Sequence, residues 1–233
     1  MALSWRMAVS LDQIVPWGRS AREYELMFGL NAEDLSSGIL DCGGGPASFN
    51  AELTARGHHV ISVDPIYSYS GTEIRGRFEA TVETMLSQMR ATPDDWTWSY
   101  HRDPDDLCAN RRAAMEKFLA DYDAGLRDRR YVVGELPVLP FSTNEFGLVV
   151  CSHLLFLYSA LLSAEFHVRS LFELCRVARE VRIFPLLSLD GKPSPHVASV
   201  RAALDSEGWA SEIVHVDYEL QRGGNEMLRA FRP

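Results

Sequence analysis

The sequence predicts an α/β protein with a mostly parallel, seven-stranded sheet, helices on both faces and an antiparallel last strand. Three observations lead to this prediction. Short apolar runs alternate with segments of helical periodicity. Three consecutive glycines, at 43–45, follow the first apolar run and precede a helix-like segment. The last two strand-like runs, at 212–220 and 226–231, are separated by a short glycine-containing link, which is typical of an antiparallel hairpin.

The remaining elements follow from apolar spacing and from turn residues. Apolar runs bounded by turn signals predict strands, and apolar residues spaced three and four apart predict helices. The segment at 46–56 begins with Pro46, which suits the first position of a helix, and is followed by Gly57, a common helix stop. We predict strands at 38–41, 59–64, 131–133, 146–151 and 181–187, and helices at 20–30, 46–56, 72–90, 105–127, 164–179 and 195–207.

A long segment separates the second strand from the third. A β-α-β crossover needs only one helix, whereas this segment contains two amphipathic helices and a polar link between them. We therefore expect one domain over 1–233, with an N-terminal helical cap at 1–37 and a helical insertion at 68–130. The polar link contains Trp96 and Trp98, which either line a substrate pocket or pack within the insertion.

Composition and charge exclude several classes of function. The chain has 32 acidic and 23 basic residues, a net charge of −9 and no basic run, which argues against a nucleic-acid substrate. Its four cysteines are far apart in the sequence, so we expect no metal site and a reduced, cytoplasmic setting. No window approaches the length of apolar sequence that crosses a bilayer, which argues against a membrane association.

The glycine loop and two acids discriminate between ligand classes. A nucleoside triphosphate loop needs a lysine after the glycines, and none is present. A dinucleotide loop would have a third glycine at Ser48, and Asp41 would repel its pyrophosphate. The cationic sulfonium and ammonium groups of S-adenosylmethionine would be attracted by the same carboxylate. Asp64, at the end of the second strand, is placed to bind ribose hydroxyls, which NAD and S-adenosylmethionine share.

Three stretches of the sequence, in the same order, resemble the class I S-adenosylmethionine-dependent methyltransferases. They are ILDCGGGPASF, VISVDP and VVGELPVLPFSTNEFGLVVCSH. The resemblance covers 38–66 and 131–232 and implies a Rossmann-like fold. The predicted antiparallel hairpin at the end of the chain also resembles that family. Two positions depart from the family pattern, since Ala47 stands where many members have glycine and Gly147 stands where aspartate is usual.

The resemblance implies cofactor contacts residue by residue. Asp41 and the glycines Gly43, Gly44 and Gly45 would lie beside the methionine half of the cofactor, and Asp64 would hold the ribose. Contacts around the adenine would come from the residues that follow the second and third strands, and one further cofactor contact would come from the end of the fourth strand. These residues are Pro65, Ile66, Glu135, Leu136 and Ser152.

Two residues after the fourth strand are candidates for catalysis. His153 lies where the methyl group is expected, and a histidine there is a general base, a ligand of the cofactor carboxylate or a cap of the following helix. Tyr158 either reaches the same pocket or belongs to the core.

Two further segments supply candidate contacts to the methyl acceptor. In the first, Trp17, Arg19 and Tyr24 either fold over the cofactor, with an arginine pairing to its carboxylate, or form a solvated surface helix. In the second, Arg222 and Asn225 of the final hairpin either face the acceptor or form a plain turn.

The sequence therefore predicts an S-adenosylmethionine-dependent methyltransferase that acts on a small molecule by direct transfer to an O, N or C atom. Two alternatives remain open on sequence grounds. One is a non-catalytic S-adenosylmethionine-binding protein that regulates or scaffolds a partner. The other is a nicotinamide oxidoreductase, which would bind NAD and not S-adenosylhomocysteine.

Overall fold

A computed structural model describes residues 15–232, so residues 1–14 of the predicted cap lie outside the described part. The strands are β1 Ile39–Cys42, β2 Val60–Val63, β3 Tyr131–Val132, β4 Phe146–Ser152, β5 Ala178–Phe184, β6 Ala210–His215 and β7 Glu226–Phe231. The helices are α1 Ala21–Phe28, α2 Ala32–Ser36, α3 Phe49–Ala55, α4 Gly71–Ala91, α5 Pro104–Arg127, α6 Ala164–Val177 and α7 Val197–Ser206.

The described strands form one sheet in the order β3-β2-β1-β4-β5-β7-β6. The first five strands are parallel, and β7 is antiparallel to both β5 and β6. The fold class predicted from the sequence is therefore confirmed, including the antiparallel last strand. Because the chain reverses its direction of winding at β1, the carboxyl ends of β1, β2 and β4 lie side by side, where open sheets of this kind bind ligands.

Helices cover both faces of the sheet. Successive side chains of β4 point to opposite faces, so Val150 packs with one apolar cluster and Val149 with the other. The first cluster includes side chains of α1, α3, α4 and α5, and the second includes side chains of α6 and α7. The insertion that holds α4 and α5 therefore lies on the same face as the N-terminal helix.

The helix after the glycine loop begins later than predicted. It starts at Phe49, so Pro46 is not its first residue and the prediction was wrong at this end. The N-terminal segment holds the chain in a loop up to Ser48, whose N–H donates to the carbonyl of Arg19 over 3.0 Å. A Cβ at Gly18 would lie 2.0 Å from the Pro46 carbonyl oxygen, so this contact requires glycine.

Two strands near the C-terminus also differ from the prediction. β5 starts at Ala178, three residues earlier than predicted. The polar Glu180 does not look like a strand residue in the sequence, but in the structure Arg182 and Arg229 pair with its carboxylate and allow it to lie in the sheet. β5 ends at Phe184, since Pro185 has no N–H with which to continue the ladder.

β6 ends at His215, five residues earlier than predicted. The chain leaves the sheet there, and the segment at 219–222 pairs with the segment at 94–99, which lies within the link between α4 and α5. The N–H of Thr97 donates to the carbonyl of Leu220 over 2.8 Å, and the N–H of Arg222 donates to the carbonyl of Asp95 over 2.8 Å. We call this pairing of the two segments the strap.

The two long helices of the insertion are amphipathic rather than uniformly apolar. α4 and α5 have 21 and 24 residues and carry charged side chains along their lengths. Within residues 15–232, no helix has an apolar stretch sufficient to cross a bilayer.

Candidate functional site

A cavity of about 850 Å³ opens at the carboxyl ends of β1, β2 and β4. The glycine loop, the residues after β2 and the residues after β4 form its walls, and α4 contributes Arg77, Ala80 and Thr81. The structure brings together thirteen of the residues singled out in the sequence: Trp17, Arg19, Tyr24, Gly43, Gly44, Gly45, Asp64, Pro65, Ile66, Glu135, Leu136, Ser152 and His153.

Glycine is required at the three loop positions for two different physical reasons. Gly43 and Gly45 have φ values of 71° and 53°, in the left-handed region that favours glycine. Gly44 has an ordinary φ, but a Cβ there would lie 2.2 Å from Oδ2 of Asp41. The loop amides are largely used within the protein, since the N–H of Gly43 donates to the Val63 carbonyl and that of Gly45 donates to Asp64.

Asp41 lies beneath the loop and is not part of the cavity wall. Its carboxylate is 1% exposed and accepts hydrogen bonds from the Tyr24 hydroxyl and the Ser62 hydroxyl, each over 3.0 Å. Burial raises the pKa of Asp41 to about 7, against the opposing effect of these two hydrogen bonds. Asp41 thus packs against the loop at Gly44 and places a buried ionisable group beneath the cavity.

Asp64 lies in the cavity wall with a fixed orientation. Its Oδ2 accepts from the N–H of Gly45 over 2.9 Å, and its Oδ1 accepts from the N–H of Ile66 over 2.8 Å. Burial raises the pKa of Asp64 to about 6, although these two hydrogen bonds act to lower it. Each carboxylate oxygen keeps a further lone pair, so the group can accept hydrogen bonds from two hydroxyls of a ligand.

His153 follows β4 directly and has a φ of 53°, which is uncommon outside glycine. Its N–H donates to the Phe184 carbonyl over 2.6 Å, and its Nδ1 lies 2.8 Å from the Ser152 hydroxyl oxygen. Burial, together with the charges of Arg19 and Arg111, holds the pKa of His153 well below its usual range. The imidazole is therefore neutral at pH 7.

A buried cluster of charged and polar groups stands behind this wall. Glu23 is fully buried and accepts from Arg111 Nη1 over 2.8 Å and from the Tyr218 hydroxyl over 2.9 Å, while Nε2 of His101 lies 3.2 Å away. Burial alone would raise the pKa of Glu23, but the Arg111 charge and the His101 hydrogen bond hold it well below its usual range. We call these four residues the Glu23 cluster, and it joins α1, α5 and the segments before α5 and after β6.

The sequence analysis missed the Glu23 cluster because its members come from distant positions with no motif. One signal was available in α5, where Arg111 lies four residues from both Leu107 and Met115 on the buried face. A charged residue in an otherwise apolar stripe indicates a buried partner.

Arg19 lines the cavity with a guanidinium group that is only partly bonded. Its Nη1 donates to the Trp17 carbonyl over 3.0 Å, whereas its Nε and the indole Nε1 of Trp17 have no hydrogen-bond partner within the described chain. No carboxylate among residues 15–232 lies within ion-pair distance of it. Burial and the nearby charge of Arg111 lower the pKa of Arg19.

A second cavity of about 70 Å³ adjoins the first and shares three wall residues with it: Trp17, Arg19 and His153. We call these three residues the shared wall. The rest of the small cavity is mainly apolar and comes from α4, the strap and the end of β5. Its lining includes Met85, Met89, Trp96, Phe184, Leu220 and Gln221.

Four of the predicted site residues lie outside both cavity linings. Asp41 is beneath the loop, and Tyr158 is buried with its hydroxyl accepting from the N–H of Val15 over 3.2 Å. Arg222 donates to the carbonyls of Asp94 and Trp96, so it holds the strap together. The carbonyl of Asn225 accepts from Val216.

Adjacent positions in these segments do reach the second cavity. Gln221 and Gly224, rather than Arg222 and Asn225, line it, and so does Trp96. Trp98 is half-buried and packs against the first apolar cluster. Trp96 also packs in the first apolar cluster, so it has both a cavity-lining and a packing position.

Gly147, one of the two departures from the family pattern, has a packing explanation. A Cβ at this position would lie 2.6 Å from the Ser37 carbonyl oxygen, and the Gly147 N–H donates to the carbonyls of Ser37 and Gly38. The segment before β1 therefore occupies the space that an aspartate side chain would need.

Among the described residues, no three His, Cys, Asp or Glu side chains are grouped to hold a metal ion. No protein-family model matches the chain. An uncharacterized protein of Methanocaldococcus jannaschii, MJ0045, is 31% identical over 221 residues, which are 94% of this chain and 97% of that protein.

Among solved structures, the fold is similar to the magnesium protoporphyrin IX methyltransferase of Synechocystis PCC 6803 with bound SAM. The identity is 14%, the TM-score 0.44, and the match covers 85% of this chain and 71% of the other. A putative S-adenosyl-L-methionine-dependent methyltransferase of Methanococcus maripaludis matches with 13% identity and a TM-score of 0.45, over 91% of this chain and 83% of the other.

Proposed function

This chain belongs to the family of the uncharacterized protein MJ0045, and we propose from its site that it is an S-adenosylmethionine-dependent methyltransferase acting on a small molecule. The methyl group would pass directly to an O, N or C atom of the acceptor. In this proposal 1–233 is one domain, whose insertion at 68–130 covers the cavity. Its four cysteines are free, in keeping with the reducing, cytoplasmic setting that we also propose.

One observation carries the choice of cofactor, namely that the amides of Gly43 and Gly45 in the glycine loop already donate hydrogen bonds within the protein. The N–H groups of Gly43, Gly45 and Ser48 donate to Val63, Asp64 and Arg19 respectively. A pyrophosphate needs such amides at a helix N-terminus, and here all three are already engaged, that of Ser48 by the N-terminal segment. The loop therefore favours a nucleoside ligand without phosphates, which S-adenosylmethionine is and NAD is not.

The residues present fit that ligand. The cavity, about 850 Å³, falls in the range of small-molecule and cofactor sites. Asp64 presents free lone pairs for two ribose hydroxyls, and Pro65, Ile66 and Leu136 provide a mainly apolar wall for an adenine ring. Asp41 adds a second acidic group under the loop, and a cationic ligand would favour its ionised form whereas an anionic ligand would not.

When bound, the cofactor supplies a methyl group activated by a positively charged sulfur. The acceptor atom forms a bond to the methyl carbon, the carbon–sulfur bond breaks, and its electron pair stays on sulfur. The chain contributes alignment of the two reactants and partial exclusion of water by the cavity wall. Where the acceptor atom carries a proton, we assign its removal to His153 on its position, because this residue is in the wall common to both cavities.

The proposal is tested by calorimetry with S-adenosylhomocysteine and with NAD. We expect the chain to bind S-adenosylhomocysteine and not NAD, and Asp64→Asn to weaken that binding about thirtyfold, which corresponds to about 2 kcal/mol for a charge-assisted contact to the ribose. Asp123→Asn, on the exposed face of α5, is the matched control and should bind like the wild type. Binding of NAD in preference to S-adenosylhomocysteine would overturn the proposal.

A further inference from the structure

The second cavity is small and is separated from the cofactor cavity only by the shared wall. An engineered cavity of about 150 Å³ is known to hold benzene, so the volume of about 70 Å³ found here holds about three or four carbon atoms. Met85 and Met89 from α4 and Leu220 from the strap give it an apolar lining. Such a space suits the short aliphatic end of a ligand and does not suit a nucleotide or a polypeptide.

The shared wall adds one positive charge to this apolar space. Arg111 is buried and Arg19 is partly buried in the cavity wall, and the described residues near them supply one carboxylate, Glu23, which is engaged by Arg111 and Tyr218. A partly buried cation without a counter-ion carries a desolvation cost, and a ligand that brings a negative charge reduces that cost. The Nε of Arg19 and Nε1 of Trp17 are buried within the same wall and have no hydrogen-bond partner among the described residues.

We propose, on the premise of the proposed function, that the methyl acceptor is a small carboxylic acid whose carboxylate pairs with Arg19 and whose aliphatic end fills the second cavity. A monoanion matches the single surplus charge of the Arg19–Arg111–Glu23 group, and the planar guanidinium matches the geometry of a carboxylate. The acceptor then lies against His153, which belongs to the same wall.

The carboxylate at Arg19 has a second conceivable source, which is the methionine part of the cofactor itself. The two sources are separated by ligands that lack one or the other group. S-adenosylhomocysteine carries the methionine carboxylate, whereas 5′-methylthioadenosine has the same nucleoside without it. Isovalerate has a carboxylate on a four-carbon body, and isovaleramide is its neutral counterpart.

The experiment measures binding of isovalerate and isovaleramide by saturation-transfer NMR, with and without saturating S-adenosylhomocysteine, and binding of both nucleosides by calorimetry. We expect isovalerate to bind at least tenfold more tightly than isovaleramide. Arg19→Gln should remove that difference and leave the dissociation constant of S-adenosylhomocysteine within twofold. Arg22→Gln, an exposed arginine on α1, is the matched control and should keep wild-type behaviour.

A second variant protects the test against loss of folding. Met85→Trp fills the second cavity from α4 and should weaken isovalerate binding at least tenfold, with S-adenosylhomocysteine binding unchanged. Circular dichroism checks that both variants are folded.

The outcomes separate this inference from the proposed function. Equal binding of isovalerate and isovaleramide in a protein that binds S-adenosylhomocysteine overturns the inference alone. Weaker binding of S-adenosylhomocysteine by Arg19→Gln, with 5′-methylthioadenosine unaffected, also overturns it and assigns Arg19 to the cofactor carboxylate. Failure of the wild type to bind S-adenosylhomocysteine, with isovalerate still selected over its amide, overturns the proposed function and leaves a carboxylate site at Arg19.

Discussion

The glycine loop and the shared wall are neighbours in space but are built in different ways. The loop takes its main residues from two short stretches, at 41–45 and 64–66, that follow adjacent parallel strands. The shared wall takes Trp17 and Arg19 from the N-terminal segment and His153 from the end of β4, and the Glu23 cluster supports it from four distant positions. A site on strand ends is therefore local in sequence, whereas a site between layers depends on the packing of the whole chain.

The largest expected effect is on the support of the wall. Arg111→Met leaves the Glu23 carboxylate buried without its main counter-ion, and we expect a loss of about 5 kcal/mol of folding free energy, seen as a fall in melting temperature on the order of 10 °C. Arg112→Met is the matched control on the next residue of α5. It breaks an exposed pair with Glu79 and should cost under about 1 kcal/mol.

Thermal unfolding of both variants gives the comparison directly. Similar losses for Arg111→Met and Arg112→Met would mean that the buried pair contributes no more than a surface pair. The contrast between a local loop and a long-range wall would then lose its energetic basis.

A second effect belongs to the loop. Asp41 has a pKa of about 7 in the folded chain against 3.8 as its ordinary value, so its contribution to stability is complete below pH 3.8 and is lost as the pH rises through 7. Asp41→Asn does not titrate. The stability of this variant relative to wild type should therefore rise by about 3 to 4 kcal/mol between pH 4 and pH 8 in the absence of ligand.

Urea unfolding of Asp41→Asn and wild type across that pH range measures this difference. Asp123→Asn again serves as an exposed control, for which a constant difference is expected. A constant difference for Asp41→Asn as well would show that the buried carboxyl is not protonated in the folded state.

The smallest expected effect is that of the Arg19 charge on the pKa of His153. Burial and the charges of Arg19 and Arg111 depress the pKa of His153, so the imidazole should stay neutral well below pH 6.5. Arg19→Gln removes one of these charges and should raise the midpoint by up to about one pH unit. NMR titration of the His153 ring in both proteins reads the shift, and an unchanged midpoint would place Arg19 electrically remote from His153.

The same contrast explains which features were predictable from the sequence. The sheet, its antiparallel end and the places of Gly43 and Asp64 follow from apolar runs and turn residues. The reason is that adjacent parallel strands are hydrogen-bonded in a fixed register, which brings the residues after their carboxyl ends to the same edge. The role of Asp41 differs in detail from the expectation, since Tyr24 and Ser62 take both carboxylate oxygens. Both partners come from other elements, and no local pattern announces them.

Other features depended on contacts that sequence patterns do not encode. The late start of α3 comes from Gly18 and Arg19 lying against 46–48, and the early end of β6 comes from the strap. The second cavity has the same origin, because Met85 and Leu220 meet only after the insertion and the C-terminal segment have packed. The apolar stripe of α4 was predicted correctly, but the C-terminal segment at 219–222 that packs near it was not.

The strap also has a consequence for how the protein is made. Arg222 holds the carbonyl of Asp94 across 128 residues of chain, so a ribosome that adds about 5 to 20 residues each second needs about 6 to 26 s to deliver it. Throughout that interval the face of α4 that carries Met85 and Met89 lacks its final cover. Until the segment at 219–222 can pack on it, a nascent chain presents that methionine-rich face to chaperones and to other nascent chains.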